Sequence, residues 1–275
     1  MVATVPSKSK PLNRRIFLTL WLAGILGSIA LVPYALTLQS ANLATIQLPF
    51  SLPVVVALQI GQSAIVLAIT IAAGLFFANR IGLGTPILRA LLQGESEGES
   101  VSKRVKAFVL PAIGWGIVAS LAVLGLDAFV FAPALAQQLG QASSPIATAI
   151  QPPVWQGFLA SFYGGINEEI YLRLFVLSLI AFIGKFIAHR ANGHPTRSIL
   201  WIATISAAIL FGLGHLPATA AILPLTPLVI TRAILLNGLA GIGFGYLYFT
   251  FGLEAAMLSH FVADIVLHGI APLFL

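Results

Sequence analysis

Cysteine is absent from the 275 residues. That removes disulfides, a thiol nucleophile and thiolate metal ligation together, so any metal would have to be held by histidine and carboxylate. Charge is scarce too: charged residues make up 8%, and only eight of them are acidic. A soluble domain of this length needs a more polar surface. What fills the chain is apolar, with 59% hydrophobic residues and a mean hydropathy of +1.00. Apolar runs of about 18 residues or more recur, each long enough to cross a bilayer as a helix. The expected fold is therefore an all-α, polytopic transmembrane helical bundle of about seven spans, multi-pass in the cell membrane. The net charge of +6 is no sign of nucleic acid, because Lys and Arg fall between the apolar runs as they do in cytoplasmic loops.

Asn13-Arg14-Arg15-Ile16-Phe17-Leu18 loosely resembles a twin-arginine export signal. The apolar run from Ile16 to Leu38 is too long for a cleaved signal, so it reads as a first span anchored by Arg14 and Arg15. Spans are expected at 16–38, 53–78, 107–131, 153–187, 198–214, 228–249 and 253–271, with an interfacial helix at 86–92. Residues 1–13 are polar, basic and expected to be disordered, and the acidic patch Gly94–Ser100 reads as a solvated loop. Pro217, Pro224 and Pro227 should keep 216–227 out of helix. Loops 39–52, 132–152 and 216–227 lack Lys and Arg, which puts the N-terminus in the cytoplasm and the C-terminus outside. The chain divides into a basic tail (1–15), the first three spans with the interfacial segment (16–149) and a C-terminal bundle (150–275). Gly241 and Gly245 in the sixth span form a small-xxx-small contact face.

Against this background Asn167-Glu168-Glu169-Ile170-Tyr171-Leu172-Arg173 stands out: two adjacent carboxylates and a guanidinium inside an apolar run. A charge at membrane depth costs about 3 kcal/mol or more, so such groups face a bundle interior and act on something. On an α-helix Glu169 and Arg173 share a face, while Glu168 points about 100° away. Arg173 would hold Glu169 charged and leave Glu168 free to handle a proton. Later spans add His215, then His260 and Asp264 one turn apart, then His268. Such a set can activate water, with a desolvated Glu as base and histidines donating to an oxyanion. Alternatively, Glu168, His215 and His260 resemble a three-ligand site for Zn2+ or another divalent metal. Asp127, Arg232 and Glu254 read as bundle pairs or interface anchors, and Asn237 as a cross-helix hydrogen bonder.

Glu168-Glu169-x-x-x-Arg173, Phe211-x-x-x-His215 and His260-x-x-x-Asp264, in that order on late spans, resemble the three motifs of the CPBP family. These are intramembrane proteases related to the CAAX prenyl endopeptidase of the Ras-converting-enzyme type and to bacteriocin-processing and immunity proteins. The resemblance covers about residues 150–270. It implies hydrolysis of a peptide bond in a peptide or membrane-protein substrate, with Glu168 as the water-activating base, Glu169 held by Arg173, and His215, His260 and Asp264 completing the site. Prenylated CAAX proteins are the substrate class it implies. The family usually has Asn where this chain has Asp264, and the added negative charge favours a cation.

Helix rise puts Glu168 and His215 roughly 25 Å from the cytoplasmic ends of their spans but His260 only about 10 Å. Span seven should therefore start deep, through a short re-entrant turn at 250–254, with His268 in reserve. Two other functions fit the same residues. A secondary transporter could bind protons or cations at these carboxylates, although the chain lacks the repeats such folds use. A non-catalytic membrane scaffold or immunity protein could keep the motifs without activity. The sequence carries no signal for oligomeric state.

Overall fold

In a computed structural model of the chain, the residues described are 14–93, 100–139 and 152–274. The basic tail, the acidic patch 94–99 and most of the loop after the third span lie outside them. Long helices account for most of the described chain: α1 (Arg14–Leu38), α2 (Leu52–Arg80), the short α3 (Pro86–Gln93), α4 (Val101–Leu139), α5 (residues 154–184), α6 (Arg197–Gly214), α7 (Pro227–Phe251) and α8 (Leu253–Asp264, carried on as a π-turn through Ile265–Ile270). Six helical stretches are long and apolar enough to span a membrane, and α5 is not among them. It is the expected fourth span. It is helical throughout but carries Glu168, Glu169 and Arg173.

Most boundaries follow local chemistry. The Ser100 hydroxyl accepts from the Lys103 amide and starts α4 at Val101, six residues before the expected 107. Thr196 and Thr226 cap α6 and α7 in the same way, accepting from the amides of Ile199 and Val229. Leu216–Ala220 forms a short helix, against the expectation that prolines would exclude it. Pro217 falls in its first turn, where the missing N–H is not needed. Asn237 also departs from expectation: its amide bonds back to the Ala233 carbonyl on its own helix.

α5 is wound differently from its neighbours. Tyr163–Glu168 and Ile170–Leu177 are π-helical, bounded by α-helical Val154–Phe162 and Ser178–Gly184. Bonding from i to i+5 takes more residues per turn and shifts which side chains share a face. α5 packs against α1, α2, α6 and α8. The main core, around Ile71, Leu174, Leu177, Phe244, Tyr248 and Leu253, runs along its inner face. Outward faces are apolar and exposed, as at Leu26, Ile65, Ile69, Leu110 and Phe129, which gives the bundle a lipid-facing surface. The protein is an integral, multi-pass membrane protein.

The turn between α7 and α8 explains the depth of α8. Gly252 takes φ 106°, a conformation other residues rarely adopt, and reverses the chain within one residue. The loop before α3 covers this turn. The Leu253 amide donates to the Gly84 carbonyl at 2.9 Å, and Glu254 Oε1 accepts from the Leu88 amide at 2.8 Å. Irregular backbone is tolerated at membrane depth when protein buries it, and Gly252 and Leu253 are both buried. Glu254 thus anchors the first turn of α3 to the start of α8.

Candidate active site

Arg173 and Glu169, both with fully buried side chains, are paired: Arg173 Nη1 donates to Glu169 Oε1 at 2.9 Å. The guanidinium is held further by a donation from Nη2 to the Gly241 carbonyl at 3.0 Å, and it faces the rings of Phe211 and Phe244 at 5.1 and 5.3 Å. The expectation for this pair holds. It misses a second partner of the same carboxylate. His260 on α8 places Nδ1 2.7 Å from Glu169 Oε1. A carboxylate only accepts, so Nδ1 carries the proton and donates, and the tautomer of His260 is thereby fixed.

The other ring nitrogen looks the opposite way. His260 Nε2 lies 3.5 Å from Glu168 Oε2 and 3.7 Å from Asp264 Oδ1. Glu168 and Glu169 therefore do not face unrelated spaces, as a regular α-helix would suggest. They flank one imidazole, each at its own nitrogen. The division of labour survives in exposure: the side chain of Glu168 is 21% exposed, against 0% for Glu169 and 5% for His260. Of the two adjacent carboxylates, only Glu168 is partly exposed.

Aromatic rings fix the imidazole. Phe244 stacks on His260 at 4.6 Å and 17°, and Phe211 meets it edge-on at 5.4 Å. The same two rings contact Arg173, so Phe211 and Phe244 bracket the charged wire from both ends. Sequence reasoning quoted Phe211 only as the start of a histidine motif and missed Phe244. Neither had a signal beyond being aromatic in an apolar span. Gly164 and Gly165 were also missed. A Cβ on Gly164 would land on Asp264 Oδ2 and come within 3.2 Å of His260 Nε2, and one on Gly165 would meet the Met257 carbonyl at 3.1 Å. The paired glycines allow α8 to lie against α5.

His215 stands at the margin. Its Nδ1 donates to the Phe211 carbonyl at 2.8 Å, and its ring packs against the Phe211 ring at 4.8 Å. Nε2 of the neutral ring is then a lone pair, an acceptor rather than an oxyanion donor. His268 sits one π-turn beyond Asp264, with Nδ1 3.4 Å from the hydroxyl of Tyr34 on α1. Among the described residues no group of three or more His, Asp or Glu side chains is arranged to hold a metal ion.

The scaffold around the site is tied to α1. Asn167, fully buried, donates through Nδ2 to the Gly24 carbonyl and to Ser28 Oγ, each at 2.9 Å. On the other side of the bundle, Asp127 and Arg232 form the expected pair, with a two-pronged bond at 2.6 and 2.7 Å between α4 and α7.

Residues 150–266 match the family model described as Rce1-like, type II CAAX prenyl endopeptidase Rce1-like. Over this stretch the chain is similar to that family. The match holds the acidic pair, Arg173, His215, His260 and Asp264, while α1 to α4 lie outside it. No curated protein and no solved structure matches the chain.

Proposed function

We propose that the protein is an intramembrane endopeptidase of the CAAX type, in which Glu168 activates the water that hydrolyses the peptide bond. The observation that carries this reading is the imidazole of His260 held between the two adjacent carboxylates, one buried and one partly exposed. Glu168 takes a proton from water as the water oxygen bonds to the scissile carbonyl carbon. It then returns that proton to the leaving amine as the C–N bond breaks. His260, supported at Nδ1 by Glu169, is the group beside Glu168 able to carry positive charge toward the developing oxyanion. Asp264 steadies its Nε2 edge. His215 acts from the margin, presenting an acceptor to the water or the leaving group. Arg173 holds Glu169 in place through their ion pair and does not touch the substrate.

The substrate class proposed is a prenylated protein in the membrane, cut near its C-terminal CAAX sequence, in keeping with the family that the C-terminal half resembles. Glu168→Gln and His215→Ala should each abolish cleavage of a farnesylated CAAX reporter peptide while the protein still inserts and keeps its thermal stability. Cleavage retained by both variants would remove the mechanism. A divalent-metal requirement, seen as loss of activity with chelator and rescue by Zn2+, would replace it with metal-assisted hydrolysis.

A further inference from the structure

Away from the charged wire, α1 and α2 diverge to form an open cleft of about 420 Å³ whose inner wall is α5. Its lining combines Leu and Val side chains with an unusual number of neutral polar ones: Gln39, Gln59, Gln62, Ser63, Tyr163 and Tyr171. Among the described residues, no Lys, Arg, His, Asp or Glu borders it. Gln59 and Gln62 are exposed, and at 1.5 Å per residue they lie roughly 10 and 15 Å along α2 from its start at Leu52. An amide facing lipid that far along a span is costly, so these side chains are there to meet something polar. Tyr163 and Tyr171 tie the cleft to the site, since they stand on the π-wound stretch either side of Glu168.

We propose that this cleft holds an unwound, uncharged stretch of substrate polypeptide on its way to Glu168, an inference that rests on the protease reading above. Hydrolysis needs a peptide bond freed from helix, and freed backbone in a bilayer must find donors and acceptors elsewhere. Glutamine is suited to that task because its one side chain offers both, as do the serine and tyrosine hydroxyls. An acyl chain has no use for them. A charged chain terminus would have no counter-charge there, so the terminal carboxylate of a substrate lies outside the cleft.

The test uses full-length Glu168→Gln protein in nanodiscs, which binds without turnover, and a short, terminally blocked, uncharged peptide carrying a benzophenone. Photolysis should label the cleft walls, within residues 28–66 or 163–171. Adding Gln59→Leu and Gln62→Leu should lower the yield about tenfold through the loss of two side-chain hydrogen-bonding groups. The same peptide with a free carboxylate should label less. In otherwise wild-type protein, Gln59→Leu with Gln62→Leu should raise KM, and Ile65→Ala, on the same helix but off the cleft, serves as the control. Labelling elsewhere, a yield unmoved by the two leucines, or labelling of lipid alone would overturn the proposal. Failure of wild-type protein to cleave any reporter would sink the protease reading instead, and the labelling in the inactive variant still decides the cleft.

Discussion

Glu169 has two buried partners, and a paired substitution can separate what each contributes. Glu169→Gln alone leaves Arg173 as an unpaired cation in a fully buried position, and Arg173→Met alone leaves Glu169 as an anion facing only His260. Breaking a buried pair from one side costs about 3–5 kcal/mol, so each single variant should unfold early. The double variant Glu169→Gln with Arg173→Met removes both charges and keeps most of the volume. Neutral replacements of a buried pair are often close to isoenergetic, so stability should return to within about 1 kcal/mol of wild type. Activity should not return with it. His260 would have lost the carboxylate that fixes its tautomer, and the loss of such an orienting group costs on the order of 10^3- to 10^4-fold. The assays are SDS-titration unfolding in mixed micelles and reporter cleavage at matched folded fraction. A stable double variant that cleaves like wild type would show Glu169 to be a structural partner only. A double variant as unstable as the singles would show that the pair is more than a mutual neutralisation.

Gly164→Ala should cut cleavage ten- to a hundredfold, roughly 1.4–2.7 kcal/mol of barrier, because its methyl displaces Asp264 and crowds His260. Gly114→Ala, where a Cβ meets nothing within 4 Å, should leave activity alone and stabilise α4 by up to about 1 kcal/mol. Asn167→Ala removes both side-chain bonds to α1 at a fully buried site and should cost about 2–3 kcal/mol, read by the same unfolding titration. Phe244→Leu keeps an apolar filler but loses the stacked contact with His260. It should lower kcat about tenfold with little change in KM, since the ring touches the catalytic imidazole rather than the cleft.

The helices were legible in the sequence because membrane spans announce themselves by length and hydropathy alone. The polar residues of the site were legible for the opposite reason: in so apolar a chain each charge is conspicuous. Their wiring was not. That Glu169 serves both Arg173 and His260 depends on how α8 meets α5, and nothing in either segment states the register. The uneven distances of Glu168 and His260 from their helix ends did point to a short turn at 250–254, and the chain turns there at a buried Gly252. The role of Asn237 was misjudged because an amide in a span can bond its own helix as readily as a neighbour's. The cleft between α1 and α2 escaped notice because three glutamines and a serine spread over two spans make no motif.

The π-winding of α5 ties these observations together. Long π-helical stretches are rare and hold only where the surroundings over-determine them. Here each turn of the unusual winding has a partner. Gly164 and Gly165 lie under α8, Asn167 is bonded to α1, Glu169 to Arg173 and His260, and Arg173 to the Gly241 carbonyl of α7. Helices from both halves of the chain therefore grip the one segment that presents Glu168. Because α1 and α2 lie outside the Rce1-like region yet supply part of that grip and the walls of the cleft, a fragment limited to residues 150–266 would lack the bonds from α1 that hold Asn167, next to the acidic pair. On the proposed reading, the first two helices belong to the site as much as the motifs do.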